Sequence, residues 1–348
     1  MTKVSFFNEK NISYPTSISP LPENIKNIFP LSIRKLIEKL PAQAEFELEE
    51  IRVRLNRPII FYIGKTDYTL TSSGKLTRNI ASGIEINKTE IEKILHTISQ
   101  SSIYAWEEEF KRGYITLKGG HRVGLTGKVI LDKGLVKSMK NISGLNFRIA
   151  HELIGVATKV MPYLIDKDLG FRHTLLVSPP QCGKTTLLRD IIRQLSDGVP
   201  SLNFEGVNVG LVDERSELAG SHEGVPQFNI GFRTDILDGC PKAQGMIMLI
   251  RSMSPQVIAT DEIGTLEDIM AMEEVLNAGI SLLTTVHGRD IEDLVQRPNL
   301  CKIIEQKFFK RIIVLSRSLG VGTVENIIDG TNMEPILSKP LKGGWVKY

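Results

Sequence analysis

Short, continuous apolar runs alternate with helical segments through the second half of the chain. After residue 151, each run is followed by a segment whose apolar residues recur every three or four positions, as they do along one face of a helix. Strands that are apolar throughout are buried on both faces, and their separation by helices is typical of a parallel sheet. The runs are 174–177, 209–212, 257–260, 280–286 and 312–315.

The first half of the chain has a mixed pattern. A polar, proline-bearing leader precedes helical apolar spacing over 25–40, with a bend near Pro30. Alternating apolar and polar residues from residue 49 then predict a pair of strands. A capping-box pattern at Thr89 predicts the start of a helix, and a second helix is predicted over 102–112.

Three antiparallel strands are predicted over 114–149, with turns at 119–120 and 132–134. The first 150 residues are therefore interpreted as mainly α+β, and the rest as α/β. We predict a leader and helical segment (1–43), an N-terminal α+β domain (44–150) and a larger α/β domain (151–348).

Charge and cysteine content argue against several classes of protein. The 348 residues carry 43 basic and 40 acidic side chains, a formal net charge of +3 with no long block of one sign, so no nucleic-acid partner is expected. Cys182, Cys240 and Cys301 are far apart and argue against a disulfide framework or a zinc site. No apolar run reaches the roughly 18 residues that span a bilayer, so a cytoplasmic location is expected.

A phosphate-binding loop is predicted directly after the run 174–177. The residues at 178–185 read Ser-Pro-Pro-Gln-Cys-Gly-Lys-Thr and are followed by apolar residues at helical spacing up to Asp197-Gly198. Backbone N–H groups and the helix N-terminus can hold the phosphates of ATP, Lys184 can bridge the β and γ groups, and Thr185 can bind Mg²⁺. The predicted nucleotide-binding residues are Ser178, Pro179, Pro180, Gln181, Cys182, Gly183, Lys184, Thr185 and Thr186.

Ser178 departs from this pattern, because the first position of such a loop is usually glycine. If the position requires a positive φ, serine costs about 1–2 kcal/mol there. If it does not, the cost is small. Nucleotide binding is expected in both cases.

Two acids follow the run 257–260. Asp261 and Glu262 lie at the carboxyl end of a predicted strand, which is where open α/β sheets bind their ligands. Asp261 is predicted to support the Mg²⁺ shell, and Glu262 to orient or deprotonate the attacking water. Glu214, in the acidic segment 213–217, and His287 also follow predicted strands and can sense the γ-phosphate, although a structural role for His287 is equally compatible with the sequence.

Four segments together resemble the stage III sporulation protein AA family, a relative of the type II and type IV secretion ATPases. They are Ser-Pro-Pro-Gln-Cys-Gly-Lys-Thr-Thr-Leu-Leu-Arg-Asp at 178–190, Asp-Glu-Arg-Ser-Glu at 213–217, Arg-Thr-Asp-Ile-Leu-Asp-Gly-Cys-Pro-Lys at 233–242 and Gly-Gly-His-Arg-Val-Gly at 119–124. The resemblance extends from about residue 50 to the C-terminus.

The resemblance implies an α/β, RecA-like P-loop NTPase domain behind a smaller N-terminal α+β domain. It also implies a homo-hexamer on the mother-cell side of the channel between mother cell and forespore, with membrane partners that include stage III sporulation protein AB. It assigns roles to Glu214 and His287, and it matches Arg122 and Arg148 to arginines that reach the nucleotide in secretion ATPases. The tetracysteine segment of some type II secretion ATPases is absent here.

The predicted function is that of a Mg²⁺-dependent, ATP-hydrolysing ring motor that energises assembly of, or export through, a sporulation channel. Two alternatives remain at this point. One is a nucleic-acid translocase or recombinase-like ATPase, because fold alone does not decide function. The other is a nucleotide-gated scaffold that binds ATP without turnover.

Overall fold

The structure is a computed structural model that describes residues 21–99, 113–166 and 170–343. The chain divides into two compact units near residue 100. The predicted helix over 102–112 and most of the predicted leader lie outside the described residues. The three strands over 114–149 group with the second unit, whereas the sequence interpretation placed them in an N-terminal domain that ends at residue 150; the domain boundaries stay a prediction.

The first unit combines short helices with a small antiparallel sheet. Its strands pair in the order β4-β3-β2-β1, as the alternating pattern from residue 49 predicts for the first pair. Prolines 22, 30 and 41 each precede a helix, which breaks the predicted helical segment into pieces. The elements are α1 (Glu23–Lys26), α2 (Leu31–Ile37), α3 (Ala42–Phe46), β1 (Leu48–Arg54), β2 (Ile60–Ile63), β3 (Thr66–Leu70), β4 (Leu76–Thr77) and α4 (Lys88–Ser99).

The start of α4 differs from the prediction by two residues. Asn87 and Glu90 exchange side-chain and backbone hydrogen bonds, each 3.0 Å long, so the capping box begins at Asn87 and not at Thr89. Thr89 and Glu92 have the same three-residue spacing as Asn87 and Glu90, so the sequence offers both boxes. Asparagine is the stronger cap of the two.

The second unit begins with an antiparallel three-stranded sheet and continues with an eight-stranded sheet. The strands of the second unit are β5 (Tyr114–Thr116), β6 (Arg122–Asp132), β7 (Leu135–Arg148), β8 (Ile165–Asp166), β9 (Gly170–Phe171), β10 (Thr174–Ser178), β11 (Val209–Asp213), β12 (Thr234–Asp238), β13 (Val257–Glu262), β14 (Ser281–His287), β15 (Arg311–Ser316), β16 (Thr323–Asp329) and β17 (Glu334–Pro335). In the larger sheet the order is β12-β11-β13-β14-β10-β15-β16-β17. The strands from β12 to β15 in this order are parallel, and β16 and β17 are antiparallel.

Helices cover both faces of the large sheet, as the apolar runs predict. Along β10, Leu176 packs into one core with α6, whereas Leu175 and Val177 pack into a second core on the opposite face. This alternation follows from the two-residue period of a strand. The helices are α5 (Met161–Leu164), α6 (Lys184–Asp197), α7 (Lys242–Ser252), α8 (Leu266–Asn277), α9 (Ile291–Val295) and α10 (Pro298–Glu305).

All five predicted apolar runs form parallel strands of the large sheet, and their carboxyl ends lie at one edge. Ser178 is level with His287 in the pairing of β10 with β14, and Glu262 is level with Thr285 in the pairing of β13 with β14. In the described part of the chain, no helix has the length and apolar character that crossing a bilayer requires.

Candidate functional site

The loop between β10 and α6 has the backbone of a phosphate cradle. Gly183 caps α6 with a φ of 89°, and Gln181 has a φ of 59°. Both values lie in the left-handed region, which glycine adopts at little cost. Ser178 is not among the residues with positive φ, and its hydroxyl donates to the carbonyl oxygen of Pro179 at 2.8 Å. Serine at this position therefore carries no left-handed strain.

Two backbone carbonyl groups of the loop accept hydrogen bonds from the segment between β15 and β16. Arg317 donates from Nε and Nη2 to the carbonyl oxygen of Gln181, at 3.0 and 2.6 Å. The backbone N–H of Gly322 donates to the carbonyl oxygen of Cys182 at 3.0 Å. These bonds fix the orientation of two peptide groups in the cradle, and the role of Arg317 was not foreseen from the sequence.

Glu262 meets two predicted site residues at the carboxyl edge of the sheet. Its Oε2 lies 3.7 Å from Nζ of Lys184 and 2.9 Å from Nε2 of His287. The other ring nitrogen of His287, Nδ1, lies 3.3 Å from the carbonyl oxygen of Ser178. Both partners of the imidazole are acceptors, so a neutral ring can donate to only one of them. The structure thus brings together the loop lysine, the acid after β13 and the histidine after β14.

The environment of Lys184 changes the affinity of its amine for a proton. Burial lowers the pKa of Lys184, and the negative charges of Glu262, Asp261 and Glu217 oppose that shift. Burial penalises the charged form, and neighbouring anions favour it. Lys184 is therefore a partly buried cation whose charge depends on nearby acids or on an anion that replaces them.

Asp261 presents a buried oxygen atom that lacks a hydrogen bond. Its Oδ1 lies 3.9 Å from Nζ of Lys242, which is too long for a hydrogen bond, and its backbone oxygen accepts from the hydroxyl of Thr284 at 2.8 Å. Burial raises the pKa of Asp261 to about 6, with further contributions from Asp213 and Glu214. An unsatisfied buried carboxylate oxygen costs free energy unless it finds a partner.

A hydrated magnesium ion suits this oxygen. No group of three or more His, Cys, Asp or Glu side chains in the described ranges can hold a metal ion alone. Mg²⁺ usually takes only one or two protein oxygens and completes its shell with water and phosphate oxygens. Asp261 and the hydroxyl of Thr185, the second residue of α6, fit that mode of binding.

Lys242 connects Asp261 with the acidic segment. Its ammonium group donates to Oε2 of Glu214 and faces Asp261. A lysine at the start of α7 therefore holds Glu214 close to Asp261, the candidate magnesium ligand. Lys242 was part of the segment that carries the family resemblance, but no role was assigned to it.

The rest of the acidic segment is held by buried charges. Asp213 is fully buried and accepts from the backbone N–H groups of Glu217, Leu218 and Ala219, at 2.9, 3.0 and 2.8 Å. Arg189 of α6 donates to the carbonyl oxygens of Leu218 and Glu217, at 2.5 and 2.7 Å. Asp213 thus binds backbone N–H groups of this part of the chain, and Arg189 binds its backbone carbonyl groups. A charged residue at a buried position of an amphipathic helix is the sequence signal that could have revealed Arg189.

Of the two predicted arginines, Arg122 contacts the acidic segment directly. Its Nη1 lies 2.9 Å from Oε1 of Glu217, its Nη2 donates to the carbonyl oxygen of Arg215, and its guanidinium lies 4.7 Å from the ring centroid of Tyr114. Arg148 lies directly opposite Arg122 in the pairing of β6 with β7 and is exposed. Because residues opposite each other in an antiparallel pair share one face of the sheet, the two predicted arginines lie on the same face.

Comparison with known proteins adds a family to this geometry. A model of the family described as "Sporulation stage III, protein AA" matches residues 21–334. The chain is 43% identical over 305 residues to the stage III sporulation protein AA of Bacillus subtilis (strain 168), with coverage of 88% of this chain and 94% of the relative. It is also 32% identical over 167 residues to an uncharacterized protein, ycf45, of Cyanidium caldarium, with coverage of 47% of this chain and 46% of that protein.

Solved structures show the same fold at low sequence identity. The ATPase DotB of Legionella pneumophila matches with a TM-score of 0.51 and 15% identity, over 86% of this chain and 77% of that one. DotB of Yersinia pseudotuberculosis matches with a TM-score of 0.50 and 16% identity, over 90% and 80%. The predicted α/β, RecA-like fold of the secretion ATPases is confirmed.

Proposed function

Because this chain belongs to the sporulation stage III protein AA family, we propose that it is a Mg²⁺-dependent ATPase of the secretion-motor type. Its output is the assembly of, or export through, the channel between mother cell and forespore. The observation that carries the proposal is the contact of one carboxylate, Glu262, with both Lys184 and His287. This contact supports the role of Glu262 as the general base for hydrolysis at the loop that carries Lys184.

ATP binding replaces one partner of Lys184 by another. The ammonium group that now faces Glu262 at 3.7 Å moves to the phosphates, where a cation is needed. Glu262 is then free to accept a hydrogen bond from a water molecule, while His287 keeps its contact with Oε2 of Glu262. A positioned general base contributes roughly 10²–10⁴-fold to rate.

Magnesium supplies charge neutralisation on the phosphate oxygens when it is bound. Thr185 and Asp261 are the residues that would hold it, with its remaining positions left to water and phosphate oxygens. Lys242 keeps Asp261 and Glu214 side by side with a positive charge between them, which limits the repulsion of two neighbouring carboxylates.

Arg122 links the candidate nucleotide site to the three-stranded sheet β5–β7. Its guanidinium pairs with Glu217, whose charge also acts on Lys184. A triphosphate at Lys184 competes with Glu217 for this positive charge, so the pairing of Arg122 depends on the nucleotide. We place Arg148 beside it as a second sensor, on the basis of its register position.

The assembly and location belong to the same proposal. The protein works as a homo-hexamer on the cytoplasmic side of the mother-cell membrane and docks on channel proteins that include stage III sporulation protein AB. Pull-down of the Glu262→Gln protein from sporulating cells, with ATP present, should recover membrane channel proteins. Recovery of ribosomes or DNA in their place contradicts the channel assignment.

Phosphate release tests the catalytic part. Glu262→Gln is expected to reduce the rate at least about 100-fold while calorimetry still detects binding of Mg·ATP. Glu274→Gln, an exposed glutamate of α8, is the matched control and should retain the wild-type rate. Equal rates for wild type and Glu262→Gln would indicate a scaffold that binds ATP without turnover.

A further inference from the structure

The end of the β6–β7 hairpin is a surface that the nucleotide site does not use. Residues 126–140 contain no buried side chain. The strands are joined by a tight turn in which Lys133 and Gly134 have φ values of 51° and 81°, the left-handed pair that matches the twist of a two-residue hairpin. We call residues 126–140 the hairpin end.

Aliphatic side chains are exposed on both faces of the hairpin end. Leu131 is 61% exposed and lies opposite Val136, which is 42% exposed; Val129, on the same face, is also 42% exposed. Leu135 is 75% exposed and pairs with Asp132 on the other face. A protein groove normally receives one face of a hairpin, whereas this distribution suits an apolar medium that surrounds the turn.

Lysines provide almost all the charge of the hairpin end. Lys128 lies directly opposite Lys140, a like-charge pair that destabilises a sheet unless an anion lies near it. Lys133 occupies the turn, and Lys137 pairs with Asp132 at 3.5 Å. The four lysines and one aspartate leave a net charge of +3 on this segment.

We propose that the hairpin end binds directly to an anionic lipid surface. Exposed leucines on both faces supply apolar contact, and the lysines supply attraction to lipid phosphates. Residues 126–140 contain no aromatic residue and no arginine, which are the side chains that typically stack on or read nucleic acid. The surface therefore fits lipid better than it fits DNA or RNA.

The spacing sets the depth of binding. Leu131 lies three positions after Lys128 along the strand, a rise of about 10 Å. Lys133 in the turn and Asp132 beside it prevent deep insertion because charged groups are costly in the hydrocarbon core. The leucines consequently reach the boundary between headgroups and acyl chains while Lys128 and Lys140 stay among the phosphates, as in other interfacial anchors.

Co-sedimentation with lipid vesicles tests the proposal on the full chain. The wild type should bind vesicles that contain 30 mol% phosphatidylglycerol and should bind pure phosphatidylcholine vesicles much more weakly. Lys128→Gln with Lys140→Gln is expected to weaken binding about 10- to 30-fold and to reduce its salt dependence. Leu131→Ser with Leu135→Ser should weaken it at least about tenfold at all salt concentrations.

Two controls separate this surface from other effects. Leu319→Ser changes a leucine elsewhere in the second unit that is 50% exposed, and this variant should bind like the wild type. Without nucleotide, Glu262→Gln should also bind vesicles like the wild type. The vesicle assay therefore tests the lipid proposal separately from ATP hydrolysis. The hairpin variants alter only exposed side chains, and their unfolding curves should match the wild type.

Three results would overturn the proposal. The first is equal binding of wild type and both hairpin variants to the anionic vesicles, or no binding by any of them. The second is binding of a fluorescent single-stranded oligonucleotide that depends on Lys128 and Lys140, together with no binding of the protein to vesicles. The third is a change in oligomeric state, in analytical ultracentrifugation, caused by the leucine variant without a change in vesicle binding, which would identify a contact between copies of the chain.

Discussion

Replacing Arg189 by methionine tests whether the acidic segment is held by a buried guanidinium. The side chain donates hydrogen bonds of 2.5 and 2.7 Å to the carbonyl oxygens of Leu218 and Glu217, and its guanidinium carbon lies 4.0 Å from the ring centroid of Phe228. Methionine has a similar length and remains apolar, so it fills much of the space without replacing either bond.

The magnitude follows from these contacts. Hydrogen bonds to a charged group contribute about 1.5–3 kcal/mol each, and a desolvated cation–π contact about 2 kcal/mol. Burial lowers the pKa of Arg189 to about 10, which corresponds to a penalty of about 3 kcal/mol for keeping the charge inside. The free energy of unfolding is therefore expected to fall by about 2–5 kcal/mol.

The same change should slow ATP turnover. Glu217 pairs with Arg122 and acts on Lys184, and its backbone is held by Arg189. When that hold is lost, we expect the segment to move relative to the phosphate loop and kcat to fall about 10- to 100-fold. Arg189→Lys keeps the charge but lacks the fork of donors, so its effects should be intermediate.

Urea unfolding measures the stability change, and phosphate release at saturating Mg·ATP measures turnover. Arg251→Met alters an exposed arginine of α7 and should stay within about 0.5 kcal/mol of the wild type. A loss below that limit for Arg189→Met would refute the energetic reasoning. A stability loss of the expected size with unchanged kcat would refute the link between Arg189 and the nucleotide site.

Three further predictions concern pH, backbone and loop. Burial, reinforced by the charge of His151, lowers the pKa of His121 to about 4. The contribution of neutral His121 to the free energy of unfolding should be fully present above pH 6.5, and the free energy of unfolding should fall by up to about 3 kcal/mol as the pH drops towards 4. His121→Gln should remove most of that fall in urea titrations. Gly231→Ala should cost about 1–3 kcal/mol more than Gly224→Ala in unfolding assays, because both have positive φ but only at Gly231 would a Cβ lie 2.4 Å from a side-chain carbon of α6. Arg317→Met should weaken ATP binding about fivefold in calorimetry, because two hydrogen bonds to the phosphate loop are lost.

Each of these has a clear contrary result. A wild-type stability that does not change between pH 6.5 and 4 would mean that His121 titrates alike in the folded and unfolded states. Equal destabilisation by the two alanine substitutions would mean that the contact with α6 relaxes without cost. An unchanged affinity for ATP in Arg317→Met would mean that the loop keeps its conformation without the arginine.

The phosphate loop and the parallel strands were predictable because their signals are local. An apolar run, a turn and an amphipathic helix each depend on neighbouring residues, so 174–177 and the start of α6 at Lys184 follow from the sequence pattern. Three strands of the large sheet were missed for the same reason. β12 is half-buried and contains two aspartates, β16 is an antiparallel strand with a mixed pattern, and β17 has only two residues, so none of them has a continuous apolar run.

The contacts within the candidate site could not be predicted from the sequence. The sequence placed Glu262 and His287 at strand ends and Lys184 in the loop that follows a strand, since parallel strands direct their carboxyl ends to one edge. Which side chain contacts which depends on strand order and register, and those arise from the packing of residues far apart in the chain. Lys242 beside Asp261, and Arg122 beside Glu217, are pairs of this kind.

What the sequence determined by itself is thus that Lys184, Glu262 and His287 lie near the carboxyl edge of the large sheet, because each position is fixed by the element that carries it. What only the tertiary structure decided is how those residues pair, and that Arg189, Lys242 and Arg317 support them. The physical reason is that charges interact over a few ångströms in space, whereas sequence periodicity describes only neighbours along the chain.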